Sequence, residues 1–170
     1  MSAREGSHAA ALERDDVFLY RMGAAVPKNV THIRIDPSVE HIPEEAFKWC
    51  TDLVEVELHE GLRTIGEWAF GDCTSLLRIK IPSSVTDIGD YAFGNCRSLR
   101  EIELHEGLQT IGYRAFYYCT SLLCIKIPSS VTNIGNNAFY SCTSLKEVEL
   151  HEGLRTIGER AFNNCTSLLR

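Results

Sequence analysis

The sequence predicts a solenoid, a right-handed superhelix of short parallel β-strands joined by turns or single helical turns. Three observations carry that prediction. Phe47, Phe70, Phe93, Phe116, Phe139 and Phe162 recur at a constant step of 23 residues. Cysteines (Cys50, Cys73, Cys96, Cys119, Cys142, Cys165) and leucines (Leu53, Leu76, Leu99, Leu122, Leu145, Leu168) keep the same step. A longer alternation is superposed, because residues 55–100 and 101–146 are identical at 32 of 46 aligned positions. Self-similarity at such a period is the signature of coils that bury their apolar faces only by stacking.

The elements follow in chain order. Residues 1–14 hold only a short His-Ala-Ala-Ala-Leu run and read as a disordered tail. That run is too short and polar for a signal-peptide core, and no apolar stretch nears the ~20 residues of a membrane helix. The expectation is therefore a cytoplasmic chain without a membrane span. Residues 15–35 read as an N-terminal cap and first strand, with Val17-Phe18-Leu19-Tyr20 as a capping strand or hairpin ahead of a turn at Gly23. Residues 36–170 read as the solenoid proper, without a C-terminal cap.

Within a coil, Arg78-Ile79-Lys80-Ile81 alternates charged and apolar residues, the period-two signal of a strand with one face buried. Pro82 cannot donate to a ladder and ends it. A turn follows, Ser83-Ser84 in one coil type and Glu60-Gly61 in the other. Val85 and Ile88 then point inward from a second extended segment. Gly89-Asp90-Tyr91-Ala92-Phe93 reads as one helical turn, its N-terminus favoured by the acidic column Glu44, Glu67, Asp90 and Glu159. Because Pro43 occupies the slot of Gly66, Gly89, Gly112, Gly135 and Gly158, those glycines are expected at negative φ.

The motif Leu-x-x-Ile-x-Ile-Pro followed by Val-x-x-Ile-Gly-x-x-Ala-Phe-x-x-Cys resembles the BspA-like subclass of leucine-rich repeats over residues 30–170. The resemblance implies a leucine-rich-repeat solenoid with roles in adhesion, surface display or protein binding. It brings no catalytic residues, and many members are secreted or surface-anchored.

Chemistry-bearing residues mostly fall into repeat columns, which favours packing over catalysis. The cysteine column flanks the buried Phe and reads as a ladder of reduced, buried thiols. Cys124 stands instead on the outward strand face, in register with His32, Glu55, Arg78, Glu101 and Glu147. His59, His105 and His151 lie two coils apart, too far to share one metal ion, and read as solvent-facing turn residues. Asn29-Val30-Thr31 and Asn164-Cys165-Thr166 match a glycosylation triplet that is common by chance. The formal net charge of −6 disfavours nucleic acid, whose phosphates require clustered cations. On the strand face, Arg34, Glu57, Lys80, Glu103, Lys126 and Glu149 alternate in sign, as do His32, Glu55, Arg78, Glu101, Cys124, Glu147 and Arg170 with Cys124 interrupting. That pattern avoids like charges in register.

The two cassettes diverge mainly on the turn after the Gly column. Glu67, Trp68, Gly71 and Asp72 in the first become Tyr113, Arg114, Tyr117 and Tyr118 in the second, with Tyr140 in register with Tyr117. Tyr113, Arg114, Tyr117, Tyr118 and Tyr140 are therefore the candidate protein-binding residues, since aromatics beside an Arg have the composition of a binding hot spot. The functional expectation is a non-catalytic scaffold for protein–protein interaction, with no cofactor and no metal. The alternative is a cell-surface adhesin or surface antigen.

Overall fold

The computed structural model describes residues 17–169. The proposed tail at 1–14 and the strand-face residue Arg170 lie outside the described residues. Thirteen short strands form two series. The first comprises β1 (Val17–Tyr20), β2 (His32–Ile35), β4 (Glu55–Glu57), β6 (Arg78–Lys80), β8 (Glu101–Glu103), β10 (Cys124–Lys126) and β12 (Glu147–Glu149). The second comprises β3 (His41–Ile42), β5 (Thr64–Ile65), β7 (Asp87–Ile88), β9 (Thr110–Ile111), β11 (Asn133–Ile134) and β13 (Thr156–Ile157). All pairings are parallel, with a register step of 23 residues within the repeats, such as Ile79 opposite Ile102 and Ile88 opposite Ile111. The coil is thus a three-sided β-solenoid: two strand faces and a turn face.

Buried columns fill the centre. Phe47 through Phe139, Leu53 through Leu145 and Cys50 through Cys142 are fully enclosed. The Phe rings stack with centroids 5.0–5.3 Å apart. The N-terminal segment is a strand, not a hairpin: β1 runs parallel to β2, and Tyr20 caps the Phe column edge-on to Phe47 at 4.8 Å. Each thiol of the repeat column from Cys73 onward donates to the Phe carbonyl of the preceding coil, as Cys96 does to Phe70 at 3.1 Å. Burial pushes the Cys73, Cys96 and Cys119 thiols far above their ordinary value. The neighbouring Cys165 thiol, together with burial, raises Cys142, and the same contact lowers Cys165.

The two strand faces differ in continuity. The second series forms one unbroken six-stranded sheet. The first is divided into β1-β2-β4, β6-β8 and β10-β12. Where the ladder lapses, the coils are stitched by the turns. The Glu60 carboxylate accepts the Ser83 hydroxyl (3.0 Å) and the Ser83 and Ser84 amides, and Glu106 does the same for Ser129 and Ser130. These bonds hold both carboxyls below the usual carboxylate range.

The turn face departs from the expected helical turn. The described residues contain no helix. Each coil carries two non-glycine residues at left-handed φ, for example Trp68 (53°) and Asp72 (59°), Arg114 (53°) and Tyr118 (58°). Such a residue costs roughly 1–3 kcal/mol unless the surroundings enforce it. Here they do, because the N–H of each such residue before the last coil is bonded to the neighbouring coil. Trp68 N–H reaches Asp90 O (2.9 Å), Asp72 N–H reaches Gly94 O (2.8 Å), and Tyr118 N–H reaches Tyr140 O (2.9 Å). Phe70 N–H likewise reaches Ala92 O, and the amides that alternate with these close local turns, Ala69 N–H to Gly66 O, Gly71 N–H to Trp68 O and Cys73 N–H to Phe70 O. The acidic column consequently serves no helix terminus. Asp90 Oδ1 instead accepts the Tyr113 amide of the next coil at 2.7 Å.

The glycine column has no positive φ, as expected; its requirement is steric. A Cβ at Gly112 would lie 2.7 Å from the Gly89 carbonyl carbon, and one at Gly66 2.7 Å from the Ile42 oxygen. Pro43 is admissible because its strand, β3, begins the second sheet and no coil of that sheet precedes it.

Two outcomes are expected. Gly112→Ala should destabilise the fold by about 1–3 kcal/mol through overpacking against backbone, whereas Gly94→Ala, whose nearest neighbour would sit at 3.3 Å, should cost about 1 kcal/mol or less; urea denaturation separates the two. Thiol labelling of the native protein should modify exposed Cys124 first and half-buried Cys165 next, and should reach the enclosed thiols only on unfolding.

Candidate binding surface

On the first strand face, charge pairing follows the ladders. Arg34 pairs with Glu57 (2.6 Å), Lys80 with Glu103 (3.1 Å) and Lys126 with Glu149 (3.3 Å), each across hydrogen-bonded strands. These pairs are exposed, so each contributes about 0–1 kcal/mol. They leave a self-neutralised surface with shallow grooves at the seams, one lined by Glu55, Arg78, Lys80, Glu101 and Glu103.

The histidines are more enclosed than expected. His59, His105 and His151 are half-buried, and His59 Nε2 lies 3.1 Å from the Val39 carbonyl. Their position under the Glu-Gly turn explains this, since the turn folds over the ring: Gly153 N–H donates to His151 Nδ1 at 3.0 Å. Among the described residues no group of three His, Cys, Asp or Glu could hold a metal ion.

The turn face brings the five candidate residues together. Tyr113, Arg114, Tyr117, Tyr118 and Tyr140 are all half-buried, not freely exposed. The Tyr117 ring stacks on Tyr140 at 5.3 Å and meets Tyr118 edge-on at 4.5 Å. The Arg114 guanidinium lies over Tyr113 (4.9 Å) and Tyr117 (4.7 Å) and donates to the Tyr91 hydroxyl at 2.5 Å. Tyr113 and Tyr117 therefore share a surface through Arg114, not through helical spacing. Burial, and then the neighbouring phenols, raise Tyr91 and Tyr117, so both remain protonated donors. Burial works against the Arg114 charge, but the Tyr91 hydrogen bond and the surrounding phenols raise its pKa overall.

The surface extends further than the sequence reading placed it. Trp68 stacks on Tyr91 at 4.2 Å with planes 8° apart, Tyr91 meets Tyr113 edge-on, and Lys48 Nζ lies over Trp68 at 4.4 Å. Rings thus form a continuous ribbon across four coils. A signal for it exists in the columns. Trp68 and Tyr91 are each followed three residues later by Gly71 and Gly94, whereas Arg114 and Asn137 are followed by Tyr117 and Tyr140. A coil supplies its ring from one slot or the other; the Trp68 ring occupies the space that a side chain at Gly71 would need.

Comparison with known proteins agrees with this architecture. Solved structures similar to the chain include a leucine-rich-repeat protein of T. pallidum, with 35% identity, a TM-score of 0.77, and coverage of 81% of this chain and 64% of that one. A leucine-rich-repeat protein of Eubacterium ventriosum ATCC 27560 is 28% identical with a TM-score of 0.72, over 79% of this chain and 37% of that one. The chain therefore spans less than two thirds of either protein's length. Among curated proteins none matches the chain significantly. No helix among the described residues is long and apolar enough to cross a membrane. The BspA type Leucine rich repeat region matches in six copies over residues 26–132 and 69–170, and the chain belongs to that family.

Proposed function

We propose that the chain is a non-catalytic scaffold that binds a protein partner through the turn-face cluster of Tyr113, Arg114, Tyr117, Tyr118 and Tyr140. The observation that carries the reading is contiguity at the site of divergence. The two cassettes keep their Phe, Cys and Leu columns, which packing demands, and change mainly on one surface, where the new rings touch. Tyrosine suits recognition because it offers a large amphipathic surface with few rotors to freeze. The family supports a binding role, since its repeat pattern carries no catalytic residue.

Reduced thiols along the core fit a reducing cytoplasm. Family membership supports the second reading, a cell-surface adhesin or surface antigen using the same cluster. Protease shaving of intact cells distinguishes them: loss of the chain before cytoplasmic markers indicates surface display.

Tyr117→Ser combined with Tyr140→Ser tests the surface. The rings are half-buried and stacked, so about 1 kcal/mol and roughly 2–4 °C of Tm should be lost. Partner capture, read by quantitative pull-down, should fall about ten-fold or more. Equal capture by this variant would leave the rings as cover for the core alone.

A further inference from the structure

The cluster also has a charge signature that identifies what it receives. The first cassette carries seven carboxylates: Glu55, Glu57, Glu60, Glu67, Asp72, Asp87 and Asp90. The second keeps only Glu101, Glu103 and Glu106, the counterparts of the first three. Of the three kept, Glu103 pairs with Lys80 on the strand face and Glu106 holds the serine turn. The other four positions are Tyr113, Tyr118, Asn133 and Asn136. On the turn face, residues 66–74 and 89–97 thus bear three carboxylates against Arg97, a net −2, whereas 112–120 and 135–143 bear Arg114 alone, a net +1. In a chain of net charge −6, these two coils carry no carboxylate of their own on this face, and the Asp90 carboxylate of the coil before them is engaged by the Tyr113 amide at 2.7 Å.

The ring geometry selects the same sign. Tyr117 and Tyr140 are stacked with planes 21° apart, as are Trp68 and Tyr91 at 8°, so faces are spent on each other and edges remain for a ligand. Aromatic edges carry the positive part of the quadrupole. A sugar ring, which packs on free aromatic faces, finds few here. Among the described residues no carboxylate forms an ion pair with Arg114; its recorded partners are the Tyr91 hydroxyl and the neighbouring rings.

Resting on the binding reading above, we propose that the turn face at 112–120 and 135–143 docks an acidic peptide segment of a protein partner, a side-chain carboxylate approaching Arg114 and the outward edges of Tyr117 and Tyr140. An apolar neighbour in the same segment lies along the ring edges, and the Asn136 and Asn137 amides border the site without repelling it.

The test uses the full chain and a short fluorescent peptide in which Glu alternates with Leu, beside the same peptide with Gln for Glu, read by anisotropy. The Glu probe should bind about five-fold or more tightly than the Gln probe at low salt, and the difference should vanish near molar salt. Asn136→Asp is the decisive variant. Asn136 Oδ1 accepts the Glu159 amide at 2.7 Å, and Asp90 Oδ1 accepts the Tyr113 amide at 2.7 Å one cassette position away. The substitution therefore preserves the coil-to-coil bond and adds only charge, so Tm should hold while the preference for Glu is lost. Equal binding of both probes to the parent chain overturns the acidic specificity; if Tyr117→Ser with Tyr140→Ser still abolishes partner capture, the binding surface itself stands. A Glu probe indifferent to that double variant overturns the docking site. Displacement by polygalacturonate or inorganic phosphate as effective as by unlabelled Glu peptide overturns the assignment to a protein segment.

Discussion

Every coil of this molecule must be able to lie on a copy of itself at a spacing of about 5 Å, the distance between parallel strands. That requirement decides which residues are admissible in each column. A large flat ring is admissible because Phe stacks on Phe with nearly parallel planes. A glycine is obligatory where backbone passes over backbone. A charge is admissible on the strand face only beside its opposite, and the alternation of coil types supplies one. The cysteine column is admitted for a related reason: a thiol is small enough to stack and can donate to the Phe carbonyl beneath it, giving a second bond to an oxygen that already accepts a backbone amide of its own coil.

The same requirement accounts for the backbone of the turn face. A helical turn directs its amides along its own axis, and a single such turn in each coil would leave donors without partners on the neighbouring coil. With two left-handed residues in each coil, alternate amides turn inward to close a turn and outward to the adjacent coil. Left-handed Trp, Tyr and Arg are unfavourable locally, but each inversion is matched by a bond such as Tyr91 N–H to Tyr113 O at 2.9 Å. The strain is therefore a property of one coil and its compensation a property of two.

That distinction explains what was readable in the sequence. The strands at Arg78–Lys80 and its equivalents, the Phe and Cys columns, and the parallel register depend on residue type and period, both visible in a linear string. The turn conformation was not readable because the residues at Trp68, Tyr91 and Arg114 have no preference for the conformation they adopt, and the acidic residues before Trp68 and Tyr91 mimic a helix start. The five candidate residues do meet in space, yet Trp68 and Tyr91 were missed. Their membership follows from rings leaning across Gly71 and Gly94, an interaction between slots rather than within a column.

The interrupted ladder on the first strand face bears on how such a chain can change in length. A Glu-bearing strand is bonded to the basic strand before it and stitched to the one after it through a Glu–Ser contact. Gain or loss of one coil would set two strands of the same kind side by side, juxtaposing like charges and leaving a glutamate without its serines. Gain or loss of two coils disturbs neither junction. The solenoid is thus tolerant of insertion and deletion in steps of 46 residues and resistant to steps of 23, and the 32 of 46 positions shared by residues 55–100 and 101–146 are the mark such a step leaves behind.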